Sequence, residues 1–364
     1  MKILHIASGD LWAGAEVQMS TLLKELVKEH QVYAILLNHG RLESDLKSAG
    51  VEVAVLDEST LSFFTILNGV RGLITRIKPD VVHTHRQKEN ILGGIANALS
   101  AKAACVRTVH GSSEFSLNWK QKIQRGIDHF VGRFLQQGII SVSDTLTEEL
   151  CHSFSKGKIH TLMNGIDVAS VIKDSQLTVT PIASGKIHVC LAGRMVSVKR
   201  VDLFLEMAKC LLELGSVEPA FAFHVFGDGP LLEQHKRLAK SLGILESVTF
   251  HGHCDDIRAR LSQMDVVVMT SDHEGLPMTA LEALALNKPL VAHAVGGLIP
   301  LLQKAWPEGL VSEHTTRGYT EAVLSTIRSI RDTKPPELPQ EFTAHQNARS
   351  VCEVYESLVT NLAE

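Results

Sequence analysis

The sequence predicts an α/β fold made of two doubly wound domains, and three observations carry that prediction. Short apolar, β-rich runs alternate with longer amphipathic runs, which implies parallel strands joined by right-handed helical crossovers. The alternation runs through the first 175 residues and restarts near residue 187. A chain of 364 residues suits two cores better than one.

In order along the chain, strands are expected at 2–7, 31–37, 51–56, 80–83, 103–109 and 138–142. Helical patterns lie between them, among them 14–29, 64–77 and 116–137. The polar, turn-rich stretch 173–185, which contains Pro181, reads as the boundary. Beyond it, strands at 187–192, 220–226, 247–250, 266–269 and 290–292 alternate with helices at 201–214, 231–242, 278–286 and 316–331. The proline-rich segment 333–339 reads as a second linker, and 340–363 as a last helix that folds back onto the first domain. The expected domains are thus 1–175 with 340–364, and 180–339. Ligands of open α/β sheets sit at the carboxyl ends of strands, so two facing domains are expected to enclose a central cleft.

Composition narrows the function. Apolar residues make up 45% and charged residues 21%, as in an ordinary globular protein. The formal net charge of −4 gives no overall basic field for nucleic acid. Six cysteines are scattered without a CxxC pair, which points to reduced thiols rather than a disulfide frame or a zinc site. Met1-Lys2 runs straight into a strand-like segment unlike a signal peptide, and no apolar run approaches the roughly 20 residues of a membrane span. A cytoplasmic protein is expected.

The strongest motif is the stretch from Ser271 to Ala285, SDHEGLPMTALEALA. Glu274 follows an apolar strand and Glu282 falls within the next helix, so one carboxylate stands at a helix mouth and the other about a turn inside. The same mouth offers backbone N–H groups suited to phosphate. Carboxylates for sugar hydroxyls beside amides for phosphate suggest a nucleotide-sugar site. Upstream, GRMVSVKR at 193–200 places Arg194 and Lys199 between a strand and a helix. Cations oppose the dipole of a helix start, so a plain basic turn is badly placed there, and a pyrophosphate clamp explains them better.

Weaker motifs follow the same rule. Ala13-Gly14-Ala15-Glu16 opens a helix after the first strand; Gly14 allows close approach of a ligand, or simply makes a tight turn with Glu16 favouring the helix dipole. Gly227-Asp228-Gly229-Pro230 is a turn with a helix-starting proline. His83, His85 and His110 close two strands, and sugar-bonding cleft histidines compete there with satisfied core histidines. No carboxylate or cysteine is spaced to complete a metal site with them, and no metal is expected. The helix at 116–137 mixes Lys120, Lys122, Arg125 and Arg133 with seven large apolar residues. It is either a core-facing stripe with a solvated face or a basic amphipathic helix in contact with an anionic membrane.

Taken together and in order, these pieces resemble the retaining glycosyltransferase family 4 with the GT-B fold. The resemblance rests on AGAE at 13–16, DVVHTH at 80–85, TVHG at 108–111, ISVSD at 140–144, NGID at 164–167, GRMVSVKR at 193–200, GDGP at 227–230, EGLPMTALEALA at 274–285 and VGG at 295–297. It implies that Arg194 and Lys199 hold the donor diphosphate, Glu274 the donor sugar and Glu282 the ribose, with His110 near the transferred sugar. Gly14, Gly193, Gly227, Gly275, Leu276, Met278 and Thr279 are implied as further donor-binding positions, and Glu16, His85 and Asn164 as acceptor-side candidates. Similar enzymes need no divalent metal, and the chain has no Asp-x-Asp triplet. The sequence departs from the family pattern at Ala13, where a glycine is usual, and at Pro300, where an acidic residue is common.

The expected function is therefore metal-independent, cofactor-free, retaining transfer of a hexose-type sugar. The donor is a nucleotide-diphosphate sugar, UDP-linked, and the acceptor a hydroxyl of an envelope glycan or a lipid-linked sugar, met at the inner face of the cell membrane. Two other readings stay open at this stage: an epimerase-like sugar-nucleotide enzyme on the same fold, and a non-catalytic nucleotide-sugar binding protein. A nicotinamide dehydrogenase is disfavoured by the lack of GxGxxG.

Overall fold

A computed structural model describes residues 1–10, 12, 14–111, 119–182, 184–214 and 220–363. Ala13 and the first three residues of the helix expected at 116–137 lie outside the described residues. The chain divides into two compact units, residues 1–166 with 341–364 and residues 167–340.

In the first unit the described residues form a seven-stranded parallel sheet: β1 (Lys2–Ala7), β2 (Gln31–Leu36), β3 (Glu52–Val55), β4 (Val81–Thr84), β5 (Ala104–Val109), β6 (Gly138–Ser141) and β7 (Ile159–Thr161), in the order β3-β2-β1-β4-β5-β6-β7. The second unit holds six: β8 (Ile187–Ala192), β9 (Phe221–Phe226), β10 (Val248–Gly252), β11 (Val266–Met269), β12 (Leu290–His293) and β13 (Leu310–Val311), in the order β10-β9-β8-β11-β12-β13. Both orders reverse direction after the first strand of the unit, which creates a switch point between β1 and β4 and another between β8 and β11. The central strands are buried on both faces, as β4 and β11 illustrate, because helices cover both sides of a parallel sheet. Strands β7 and β13 were not foreseen; each is an edge strand of two or three residues, too short to register as an apolar run.

The helices obey local rules. Helix Phe63–Ile77 starts where the Ser62 hydroxyl accepts from the Thr65 amide and ends on Lys78 in the left-handed conformation. Its Ile66, Val70 and Ile74, four apart, make one buried stripe, each side chain contributing about 1.5–3 kcal/mol over an exposed one. Helix Trp119–Phe134 behaves oppositely. Val131 is buried, but Trp119 (68% exposed), Ile123, Ile127, Phe130 and Phe134 (61%) face outward. The helix is held by polar anchors: Arg107, buried on β5, pairs with Asp128 at 3.0 Å. The core-facing reading of this helix is therefore corrected: most of its large apolar side chains are on the surface.

The boundary also needs correction. It falls at 166/167, ahead of the expected 173–185. Asp167 caps helix Val168–Ser175, whose Val171 is buried and whose Asp174 pairs with Arg258 at 2.7 Å, so residues 167–175 belong to the second unit. At the far end, helix Ala344–Ala363 returns to the first unit and places Ala348, Val351, Val354, Tyr355 and Leu358 in its core. An isolated parallel bridge, Ile166 to Thr343, joins the outgoing and returning segments.

Candidate active site

In the second unit the chain leaves β8 through Gly193 and Arg194, makes a short 3₁₀ turn at Ser197–Lys199 and enters helix Val201–Glu213. It leaves β11 through residues 270–277 and enters helix Met278–Ala285. Because β8 and β11 are neighbours at the switch point, both connections emerge side by side. Lys199 Nζ donates to Glu274 Oε1 at 2.5 Å, and the Ser271 hydroxyl donates to the same oxygen at 2.6 Å. The Thr270 hydroxyl ties the two connections together, donating to the backbone carbonyls of Lys199 (2.8 Å) and Arg200 (2.9 Å). Arg200 itself is left-handed (φ 46°), a strained conformation that this bond helps to hold. Arg194, in the same connection as Lys199, is exposed.

Glycines shape the Glu274 loop. Gly296 has φ 51°, and a Cβ there would sit 1.7 Å from the Glu274 carbonyl oxygen. The Gly297 amide donates to the Gly275 carbonyl at 2.5 Å. The Val-Gly-Gly segment after β12 is thus a backbone platform for Glu274. Gly227, at φ 121°, is required similarly: a Cβ would lie 2.0 Å from the Gly193 carbonyl oxygen. Gly193 packs against the Lys199 stem.

Helix Met278–Ala285 begins at Pro277 with no side-chain cap, so its first amides, including Met278 and Thr279, point from the helix mouth without i−4 partners. Leu276 and Met278 are buried and Thr279 is half-buried. Glu282 lies one turn inside the helix, almost fully buried, and accepts from Arg258 Nε at 2.9 Å. Burial pushes its carboxyl up from the ordinary range, while the Arg258 charge pulls it down. Arg258 also bonds Asp174 and Ser170. Pro300 lies inside helix Leu298–Ala305.

The first unit is different. Gly14 opens helix Gly14–Leu26, and Glu16 in its first turn is buried and paired with Arg86, which lies just after β4 and also approaches Asp10 at 3.7 Å. His5 on β1 stands in register with His83 on β4, and both are fully buried. His85 is 6% exposed, with one ring nitrogen against His5 (2.9 Å) and the other against His110 (3.3 Å). His110 is half-buried, and burial brings its pKa down to about 4. Asn164 is buried two residues before the Ile166 bridge.

Nitrogen atoms of His5, His83 and His85 lie within 4.8 Å of one another, which raises the question of a metal. The rings are stacked or tilted, with interplanar angles of 18–39°, so their in-plane lone pairs run side by side and do not converge. The four nitrogens of His5 and His83 already have hydrogen-bond partners. The cluster is a hydrogen-bonded array.

The structure thus brings Lys199 and Glu274 into contact and seats Glu282 against Arg258, while Arg194 stands exposed earlier in the connection that carries Lys199. Sequence reasoning missed Arg258, Arg86, His5 and Tyr355, and gave Ser271 no role although it stands three residues from Glu274 in the same motif. His5 had a usable signal, as the interior position of a strand whose register partner carries the DVVHTH histidines; Arg258, Arg86 and Tyr355 depend on contacts distant in sequence.

Two family profiles cover most of the chain: Glycosyltransferase Family 4 over residues 12–170 and Glycosyl transferases group 1 over residues 173–327. Among similar proteins, the UDP-Gal:alpha-D-GlcNAc-diphosphoundecaprenol alpha-1,3-galactosyltransferase of Escherichia coli is 26% identical over 337 residues, 85% of this chain and 86% of that protein. The putative glycosyltransferase EpsF of Bacillus subtilis is 25% identical over 305 residues, 80% of this chain and 78% of that protein. The structure of Alr3699/HepE from Anabaena, solved with UDP, superposes with a TM-score of 0.71 at 18% identity, covering 100% of this chain and 98% of that one, which shows a common fold.

Proposed function

Because the chain belongs to the group 1, family 4-type glycosyltransferases of the GT-B fold, we propose that it moves a hexose-type sugar from a UDP-linked donor to a hydroxyl of an envelope glycan or a lipid-linked sugar. The donor choice is supported by the UDP-galactose named for the Escherichia coli relative, and the acceptor class by its diphosphoundecaprenol acceptor.

The observation that carries the reading is the Lys199–Glu274 pair at the β8/β11 switch point, set beside the open amides of helix Met278–Ala285. Glu274 is an acceptor for sugar hydroxyls. Lys199, Arg194 and the helix mouth supply positive potential for a diphosphate as its bond to the sugar breaks and its charge grows. Glu282, oriented by Arg258, is the acceptor for ribose hydroxyls. With this much fixed positive potential for the leaving group, we read the reaction as independent of a divalent metal. We read it as retaining because Glu274 is held by Lys199 and Ser271 as a binding group, leaving the departing phosphate to take the acceptor proton on the same face of the sugar.

No helix among the described residues is long and apolar enough to cross a membrane. The exposed face of helix Trp119–Phe134, continued by Phe63 and Phe64 and interspersed with Lys122, Arg125 and Arg133, suits an anionic bilayer surface where a lipid-linked acceptor would be met.

The test is direct. The purified protein is incubated with UDP-, GDP- and ADP-sugars and a polyprenyl-diphosphate sugar acceptor, and nucleotide release is followed with and without EDTA. UDP release that depends on acceptor, persists in EDTA and yields a product of the donor's anomeric configuration by NMR supports each part. Isomerised donor without transfer would favour an epimerase instead.

A further inference from the structure

The buried histidines of the first unit form one continuous hydrogen-bonded path. Thr108 Oγ1 meets His83 Nε2 at 2.7 Å; His83 Nδ1 meets the Tyr355 hydroxyl at 2.5 Å; the Tyr355 hydroxyl meets His5 Nε2 at 3.3 Å. His5 Nδ1 meets His85 Nε2 at 2.9 Å, and His85 Nδ1 meets His110 Nε2 at 3.3 Å. Every link is imidazole or hydroxyl, and each of the four rings enters by one nitrogen and, apart from the last, leaves by the other. The path is buried along its length and reaches the half-buried His110 at its end.

A neutral imidazole donates from one nitrogen and accepts at the other. Along such a path the choices are not independent: if one ring turns its proton round, the groups bonded to it must follow. Two proton orders put one proton in every link and run one way throughout; a third, in which His83 and His5 both donate to the Tyr355 oxygen, leaves the buried Tyr355 proton without an acceptor among the described residues and is disfavoured. In one of the two, each group donates towards Thr108, whose own hydroxyl proton then needs a further acceptor in a buried strand. Among the described residues, the Thr108 hydroxyl has no hydrogen-bond partner besides His83. A buried donor left without an acceptor is strongly disfavoured. In the other order Thr108 donates to His83, His83 to Tyr355, Tyr355 to His5, His5 to His85 and His85 to His110. Every proton along the path is then used.

We propose that Thr108, His83, Tyr355, His5 and His85 are positioning residues that act as a one-directional relay and fix His110 as the Nδ1–H tautomer. His110 accepts at Nε2 from inside the protein and presents Nδ1–H as a donor to a sugar or phosphate oxygen of the substrate. Tyr355, contributed by the returning C-terminal helix, is the link without which the two halves of the array do not connect. The low proton affinity of all four rings, caused first by burial, agrees with a path that carries no net charge. The contribution to turnover rests on the glycosyltransferase reading above; the tautomer does not.

The experiment uses the full chain with ¹⁵N-labelled histidine, the His110 signals being assigned by their loss in His110→Gln. Wild-type His110 is expected to show the Nδ1–H pattern. Thr108→Val, close in shape and favourable in a strand, removes the starting donor and is expected to mix the two His110 tautomers. Thr108→Ser keeps the hydroxyl and restores the wild-type pattern. Tyr355→Phe breaks the path at its middle and should mix the tautomers as well. With a UDP-sugar and acceptor, Thr108→Val is expected to lower kcat about tenfold, the value of one neutral hydrogen bond, with donor KM unchanged. A wild-type His110 in the Nε2–H form, unchanged tautomers in Thr108→Val, or a stoichiometric transition metal in the purified protein would each overturn the relay. The expected tautomer shifts in a protein that turns over no nucleotide sugar would uphold the relay and remove the function.

Discussion

The two units have the same strand order around their switch points and fill them with opposite chemistry. Between β8 and β11 stand full charges in partial contact with solvent: Arg194, and Lys199 paired with Glu274. Between β1 and β4 stand His5 and His83, fully buried, leading through His85 to His110, with Arg86 paired to Glu16 and Asp10 beyond the strand ends. The backbone supplies a crevice in both cases. Side chains set what each suits: a charged crevice suits a developing phosphate charge, while a neutral hydrogen-bonding one suits hydroxyls.

Four expected outcomes press on this contrast. The largest belongs to the charged crevice: Lys199→Ala and Glu274→Ala are each expected to reduce kcat about 10²–10³-fold by removing fixed electrostatic stabilisation, read as nucleotide release. A loss no greater than that of Thr108→Val would erase the distinction. Next comes Gly296→Ala, which drives a methyl into the Glu274 carbonyl and should cost about 10²-fold in activity by displacing that carboxylate; Gly157→Ala, with open space around it, should change activity less than about twofold.

The third outcome concerns pH. His5, His83, His85 and His110 all have folded pKa values depressed below 6.5, so the unfolded chain binds protons that the folded one refuses. Their contribution to stability is complete above the unfolded value and is lost as pH falls from about 6.5 towards the folded values. Calorimetry between pH 7.5 and pH 4.5 should show the transition of the first unit falling in temperature, and a flat profile would contradict the neutral array. The smallest effect on catalysis is at the surface. Replacing Ile123, Phe130 and Phe134 by serine should leave turnover of a water-soluble acceptor within about twofold, while abolishing sedimentation with anionic vesicles.

How far the sequence foretold all this depended on the range of the interactions. Strands β1, β8 and β11 were placed to the residue, because β-branched runs between turn residues are local signals. Glu274, Lys199 and Arg194 were legible for the same reason: each lies just past a strand end in a short connection. The pairing of Glu282 with Arg258 was not, since those residues are far apart in sequence and meet only through helix packing. Helix Trp119–Phe134 shows a different limit. Its periodicity was plain, but periodicity does not say which way the apolar face turns, and here Asp128 and Arg107 hold the helix by its polar side.

The C-terminal helix has one further consequence, for the order of synthesis. The chain leaves the first unit at residue 166 and returns at 341, so the second unit is an insertion completed while the first still lacks its final piece. At the usual pace of translation, on the order of 5–20 residues per second, some ten seconds or more separate Ile166 from Tyr355. During that interval the surface that will receive Val351, Val354, Tyr355 and Leu358 is bare, and His5 and His83 wait for their shared hydroxyl. Of the two units, the one that emerges first is thus the last to close, and a chain truncated between residues 341 and 355 would carry a finished second unit beside an unfinished first.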